Sequence, residues 1–448
     1  MERGENLPEE LCTGIDRLVE LFVLEGRSPV QVPEQFAAYL AAELATGWES
    51  LPDSGYSIEK YLDTVKEINR TWRDTLENVH MNFSAQIYRE LSGVLLQVHK
   101  AYPQLTLKDC SRLGELFEYL LKAVFIRGNK ACFFTPVNIA RLLVGLAEPG
   151  TGETVWDPAC GSGTLLTQVI KENTGSKRGL ELLGYDTDEQ MVRLTKLNLF
   201  FHGISSAQVV QQDSLKELCT ADVILANPPV ISGFGVHLDF LRMIPQSLLR
   251  GGRAAVLINE GFLFGKHAAE REIRENLVER YGLRAVISLP EGVFAPYTSA
   301  KSSVLVFGDR QESREPVLFY EIRQVGYTRD KKCTPIKQND IPDAIAVYRS
   351  RAWHYEEWAE AMRGETTYNV NGIRVPTAWE EPFWFAEREL IRENQCILWA
   401  DQYKPVTREE PGQQEDIGDL MRQLGELEQE TEKGLRELAE LFERQGLL

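Results

Sequence analysis

The feature that most constrains this chain is the segment Asp157-Pro-Ala-Cys-Gly-Ser-Gly-Thr164, which stands between the apolar run 154–157 and a helical pattern opening near Leu165. Gly161 and Gly163 let a backbone turn sharply from a strand into a helix, and the first turn of that helix offers unpaired N–H groups to a polar small molecule. Such turns serve several kinds of nucleotide ligand. A dinucleotide fingerprint requires glycine where this chain has Leu166, and a phosphate loop requires Lys after its last glycine, where this chain has Thr164. The expected ligand is therefore neither NAD nor ATP.

From residue 151 onward, short apolar runs alternate with helical patterns, as in a largely parallel sheet wrapped by helices. Strands are expected at 154–157, 182–186, 207–213, 223–226, 253–259, 283–289 and 302–307. The predicted class is α/β: a doubly wound sheet of seven strands, preceded by a helical domain and followed by a helical tail. In such sheets ligands sit beyond the carboxyl ends of the strands, where Asp157, Asp186, Asp213 and Asn227 all fall. Asp186 is placed to accept hydrogen bonds from a ribose diol. Its other role is as N-cap of the helical run that begins at Glu189.

Before the sheet, Leu62, Val65, Ile68, Trp72, Leu76, Val79, Phe83, Ile87, Leu91 and Leu95 recur at steps of three and four, predicting one long or two shorter helices between residues 58 and 101. A further helix is expected over 111–126, with Gly128 ending it. Residues 1–128 thus read as a helical domain, 129–345 as the ligand-binding sheet domain and 346–448 as a C-terminal extension. That extension holds an aromatic-rich stretch (Trp353, Trp358, Trp379, Phe383, Trp384, Phe385, Trp399, Tyr403) and a helix predicted over 417–444. Leu420, Leu424, Leu427, Leu438 and Leu441 sit at seam spacing there, interrupted by Thr431 and Gly434, so a partner-binding helix and a solvated one are both compatible with the pattern.

A formal net charge of −18 opposes stand-alone DNA binding, which needs clustered Lys and Arg against phosphate. Part of that excess is terminal, since residues from Arg408 onward carry five basic and twelve acidic side chains. The seven cysteines are scattered without a CxxC pair, which argues for structural thiols and against a disulfide framework or a metal site. No secretory signal and no apolar run of membrane-spanning length is seen, so a cytoplasmic chain without membrane contact is expected.

Asn227-Pro-Pro-Val230, at the end of the fourth expected strand, suits amine chemistry. The Asn227 side-chain oxygen and the Pro228 carbonyl are two acceptors for the two hydrogens of an exocyclic amine, and the prolines stiffen the turn that presents them. Held this way, an amine keeps its lone pair toward an electrophile, a positioning effect needing neither metal nor covalent intermediate. An isolated Asn-Pro-Pro is equally an ordinary strand-ending turn; its place in this sheet favours the chemical role.

Phe133-Phe-Thr-Pro136, the 157–164 turn, Gly184-Tyr-Asp186, Asp213, Asn227-Pro-Pro229 and Leu289-Pro-Glu-Gly-Val-Phe294 together resemble the amino-methyltransferases of DNA, above all the modification subunits of type I restriction-modification systems. The resemblance runs from about Gly114 to Tyr403. It implies an S-adenosylmethionine-dependent adenine-N6 methyltransferase whose cofactor site comprises Phe133, Phe134, Thr135, Pro136, Asp157, Ala159, Gly161, Ser162, Gly163, Thr164, Asp186 and Asp213. Asn227, Pro228, Pro229 and Val230 would receive an adenine flipped out of the duplex. The family usually has an aromatic residue where this chain has Val230, and a longer loop where residues 231–237 lead directly to the next helix; Phe234 is the aromatic residue of that link. No region reads as a target-recognition domain, so double-stranded DNA is expected to be reached through a separate specificity subunit, in a hetero-oligomer with or without a restriction subunit. The alternative is a non-catalytic, cofactor-binding or scaffolding subunit of a DNA-defence complex with a degenerate base pocket. Methylation of a protein glutamine amide shares Asn-Pro-Pro but not the flanking segments.

Overall fold

The computed structural model describes residues 7–46, 83–106, 109–127, 135–173, 179–204, 206–229, 234–295, 298, 300–308, 315–329, 334–363, 367–370, 373–376 and 379–405. Phe133, Phe134, Val230, most of the helix expected from residue 58 and the helix expected at 417–444 lie outside them.

The helical periodicity that falls on described residues becomes helix from Ala85 onward, while Phe83 precedes the Ser84 cap and lies outside the helix. α1 (Glu9–Leu24) and α2 (Val32–Thr46) come first. α3 (Ala85–Ala101) is opened by Ser84, whose side chain accepts the Ile87 N–H, and it buries Ile87, Leu91, Val94, Leu95 and Val98 along one stripe. α4 (Gly114–Arg127) follows a short 3-10 turn at Ser111–Leu113. The core these helices share continues into the sheet domain through Met191, Leu194, Leu197 and Phe201. Phe117 and Phe201 meet with ring centroids 4.7 Å apart.

After α5 (Val137–Ala147) the chain alternates strand and helix: β1 (Thr154–Asp157), α6 (Thr164–Glu172), β2 (Glu181–Asp186), α7 (Glu189–Phe201), β3 (Gln208–Gln211), β4 (Ala221–Ala226), α8 (Phe234–Gln246) and β5 (Leu248–Asn259). Then come α9 (Gly261–Phe264), α10 (Ala268–Glu279), β6 (Ala285–Ser288), β7 (Ser302–Gly308) and β8 (Val317–Glu321). A hairpin of β9 (Val325–Tyr327) and β10 (Pro335–Asn339) precedes α11 (Ile341–Arg349) and α12 (Arg351–Arg363). β11 (Thr367–Val370) and β12 (Ile373–Pro376) pair with each other, and β13 (Phe383–Ala386) and α13 (Arg388–Glu393) follow.

All seven expected strands are present, and two more extend the sheet to nine in the order β13-β8-β6-β7-β5-β4-β1-β2-β3. β8 runs parallel to β6, and β13 antiparallel to β8, with Phe383 opposite Tyr320. Both extra strands are buried on nearly every residue, so neither carries the in-out alternation that marks a half-exposed strand. Arg388, only 3% exposed, fastens this edge: its guanidinium donates to the carbonyls of Val278, Leu283 and Glu315. Among the described residues one compact unit runs to Ala361 and resumes at Glu381–Lys404, and the β11–β12 pair belongs to a second.

β1 is paired in parallel with β2 on one side and β4 on the other. The chain departs from β1 in both directions, which makes the carboxyl ends of β1 and β4 the switch point where such sheets open a crevice. No described helix is long and apolar enough to cross a membrane.

Candidate active site

Backbone demands set the turn after β1. Gly161 and Gly163 have φ of 52° and 80°, left-handed values that a Cβ disfavours. At Gly163 an added Cβ would lie 2.9 Å from Thr195 Cγ2, so the turn sits directly on α7. Ser214, 2% exposed, donates its hydroxyl to the Pro158 carbonyl at 2.6 Å and ties the loop after β3 to the same turn.

Asp186 spends its carboxylate on the turn and on its own strand end. Oδ2 accepts the Gly161 N–H at 2.9 Å and Oδ1 the Asp188 N–H at 2.9 Å. The capping of α7 falls to Asp188, which accepts the Gln190 N–H at 2.8 Å, so Asp186 is not the N-cap of that helix. Asp157, 1% exposed, accepts the Ala159 N–H at 3.1 Å; burial pushes its carboxyl up to about 8, and the charge of Asp186 adds to the shift. Burial raises Asp186 as well, against the N–H groups of Asp188 and Gly161. Asp213 goes the other way, held down by its hydrogen bond with Lys216 at 2.8 Å, and it accepts the Leu215 N–H.

These groups converge on one cavity of about 490 Å³ at the carboxyl edge of the sheet. Thr135, Asp157, Ala159, Gly161, Asp186, Asp213, Asn227 and Pro229 of the expected site line it. Pro136, Ser162, Gly163, Thr164 and Pro228 do not. Pro136 opens α5, and the Ser162 and Thr164 hydroxyls face each other at 3.4 Å inside the turn. Sequence reasoning missed Pro158, Cys160, Leu165, Thr187, Asp188, Gln212, Ser214, Leu215, Val236 and Phe240. Most are immediate neighbours of the flagged strand ends and carry that positional signal. Val236 and Phe240 arrive one turn apart on α8 and carry none.

Asn227 and Thr135, 92 residues apart, are joined by a 3.0 Å hydrogen bond in which the Asn227 amide donates to the Thr135 hydroxyl. The amide nitrogen is thereby engaged, and the Asn227 side-chain oxygen is left without a partner among the described residues. Asp157, Asp186, Asp188 and Asp213 bring four carboxyl groups to the cavity, and no Lys, Arg or His is among the described residues that line it. Such a lining favours a cationic ligand and opposes a phosphate.

The sequence pattern described as N-6 DNA Methylase matches residues 108–404. The chain is 31% identical over 238 residues to the type I restriction enzyme EcoEI methylase subunit of Escherichia coli, covering 46% of this chain and 48% of that protein. It is 24% identical over 388 residues to the MjaVII methylase subunit of Methanocaldococcus jannaschii, covering 74% and 66%. The chain thus spans about half to two thirds of the length of these relatives. In fold it is similar to a chain from a study of complex assembly and conformational transition of the type I R-M system, with TM-score 0.62, 19% identity and 99% of each chain covered. It is also similar to the type I restriction-modification methyltransferase subunit of Streptococcus thermophilus, with TM-score 0.60, 20% identity, and 83% and 80% covered. With the family pattern matched over more than half of its length, the chain belongs to the N-6 DNA methylase family.

Proposed function

We propose that the cavity binds S-adenosylmethionine and that the chain transfers its methyl group to the N6 amine of an adenine flipped from duplex DNA, as a modification subunit working with a separate specificity subunit. The observation that carries this reading is that the Asn227 oxygen, without a partner among the described residues, shares one cavity with the carboxyl groups of Asp157, Asp186 and Asp188, none of which is paired with a Lys or Arg among the described residues. S-adenosylmethionine carries an ammonium and a sulfonium against a single carboxylate, so its net charge matches the lining. Leu215, Val236 and Phe240 provide apolar surface for a purine ring, and the remaining lone pairs of Asp186 suit a ribose diol. When bound, the cofactor supplies an electrophilic methyl group.

The amine chemistry belongs to the chain itself. The Asn227 oxygen accepts one amine hydrogen and, as the family resemblance implies, the carbonyl of Pro228, which stands between the lining residues Asn227 and Pro229, accepts the other, turning the nitrogen lone pair toward the electrophile. A methyl group supplied by the bound cofactor would pass to that lone pair, and the surplus amine proton would leave to solvent. Thr135 holds the Asn227 amide in the orientation that keeps its oxygen available. An acidic chain has little affinity for phosphate of its own, which supports DNA contact through a partner, in the cytoplasm.

Calorimetry tests the cofactor half of the reading. S-adenosylmethionine is expected to bind and ATP is not. Below about pH 8 Asp157 is protonated in the free protein, and a cation in the cavity favours its ionised form. The association constant should therefore rise with pH between 6 and 8, by at most about tenfold per unit, with proton release on binding. Equal affinity for ATP, or binding indifferent to pH over that range, would contradict the assignment of the cavity.

Val230 supports a second reading, in which the cofactor fold persists in a scaffold with a decayed base pocket. Val230→Phe separates the two. In a working enzyme it adds a stacking face for the flipped base, worth about 1–3 kcal/mol, or a roughly five- to hundredfold gain in methylation. A scaffold gains nothing.

A further inference from the structure

Gly161 and Ser162 are gripped from the side of α7, by two residues that no motif of the cofactor turn includes. The Gly161 N–H goes to Asp186 Oδ2 at 2.9 Å, and its carbonyl accepts the Thr195 hydroxyl at 2.6 Å, so the residue is held at both ends. The next carbonyl, that of Ser162, accepts the Asn198 amide at 2.9 Å. Thr195 and Asn198 are both 0% exposed. In a planar trans peptide the following N–H points opposite to the carbonyl, so the bond from Thr195 also directs the Ser162 N–H away from α7.

Asn198 carries an independent sign that its bond matters. Its side-chain oxygen is buried with no hydrogen-bond partner, a destabilising arrangement that a leucine on this apolar helix face would avoid. What offsets it is the bond to Ser162. α7 is itself anchored: His202 Nδ1 lies 2.8 Å from the Asn198 carbonyl, and His202 Nε2 lies 3.2 Å from Glu118 Oε1. The other Glu118 oxygen pairs with Lys171 at 2.6 Å, so α4 holds both α6, which leaves the turn, and α7, which supports it.

We propose that Thr195 and Asn198 are positioning residues for the cofactor, acting through the Gly161 and Ser162 carbonyls to hold the turn in its binding shape. The proposal rests on the reading of the cavity as an S-adenosylmethionine site. Thr195→Val keeps the shape and removes the donor; it should weaken S-adenosylmethionine binding by about tenfold in calorimetry, the scale of one buried hydrogen bond. The KM for the cofactor should rise in proportion while kcat holds. Thr195→Ser restores the hydroxyl and should bind within about twofold of wild type. In the free protein, hydrogen exchange at residues 161–163 should quicken in Thr195→Val and stay unchanged in α3.

Wild-type affinity in Thr195→Val with unchanged exchange at the turn would overturn the proposal. So would a Thr195→Ser protein as weak as Thr195→Val, since packing and not the hydroxyl would then be responsible. If Thr195→Val does not fold, Asn198→Leu is judged by the same measurements. Failure of the wild type to bind the cofactor would instead sink the underlying reading, and the exchange result in the free protein would still report whether the hydroxyl holds the turn.

Discussion

Asn227→Ala is expected to slow methyl transfer by about two to three orders of magnitude, the cost of removing one preorganised polar group from a reacting centre. The change deletes the acceptor that orients the amine and leaves the carboxylates of the cofactor cavity in place. Cofactor affinity should accordingly stay within about twofold, so that kcat carries nearly all of the loss. Because the Asn227 amide donates to the Thr135 hydroxyl, Thr135→Val should produce a smaller loss of the same kind, by freeing the amide to rotate. Single-turnover kinetics beside calorimetry checks both variants. An Asn227→Ala protein that loses the cofactor and keeps its single-turnover rate at saturation would move Asn227 out of the amine site.

Asp186→Ala should have the largest effect on cofactor binding. The carboxylate holds the Gly161 and Asp188 N–H groups, and its loss orphans two partly buried donors at about 1–3 kcal/mol each. A drop in stability of about 2–6 kcal/mol is expected from these alone, visible in thermal melting of the free protein. Charge-assisted bonds to a ribose diol are lost besides, at about 1.5–3 kcal/mol each, so affinity for S-adenosylmethionine should fall by about a hundredfold or more. Asp186→Asn keeps an acceptor for one of the two N–H groups and should sit between the extremes. Unchanged affinity in a destabilised Asp186→Ala protein would place the ribose partner elsewhere.

The legible parts of this molecule were those written in consecutive residues. An apolar run ended by Asp157 and followed by two glycines announces a strand, a turn and a helix within eleven positions, and the structure has β1, the turn and α6 there. The stripe Ile87, Leu91, Leu95 announces α3 in the same way. What escaped depends on partners distant in the chain. β13 joins the sheet because its aromatic residues pair with β8 some sixty positions earlier and Arg388 finds three carbonyls, none of which is visible locally. The Asn227–Thr135 bond and the grip of Thr195 and Asn198 on the turn are likewise products of packing. β2 ends at Asp186 as the pattern predicts, yet its neighbour Asp188 takes the cap, a choice between two acids two residues apart that strand ending and backbone geometry decide together.

The most direct test of the account is mass spectrometry of nucleosides released from duplex DNA after incubation with the chain, S-adenosylmethionine and a specificity subunit. The account predicts N6-methyladenine with wild type, more of it with Val230→Phe, and about a hundred- to a thousandfold slower formation with Asn227→Ala. Absence of N6-methyladenine with both wild type and Val230→Phe, in samples shown to bind cofactor and DNA, would contradict it.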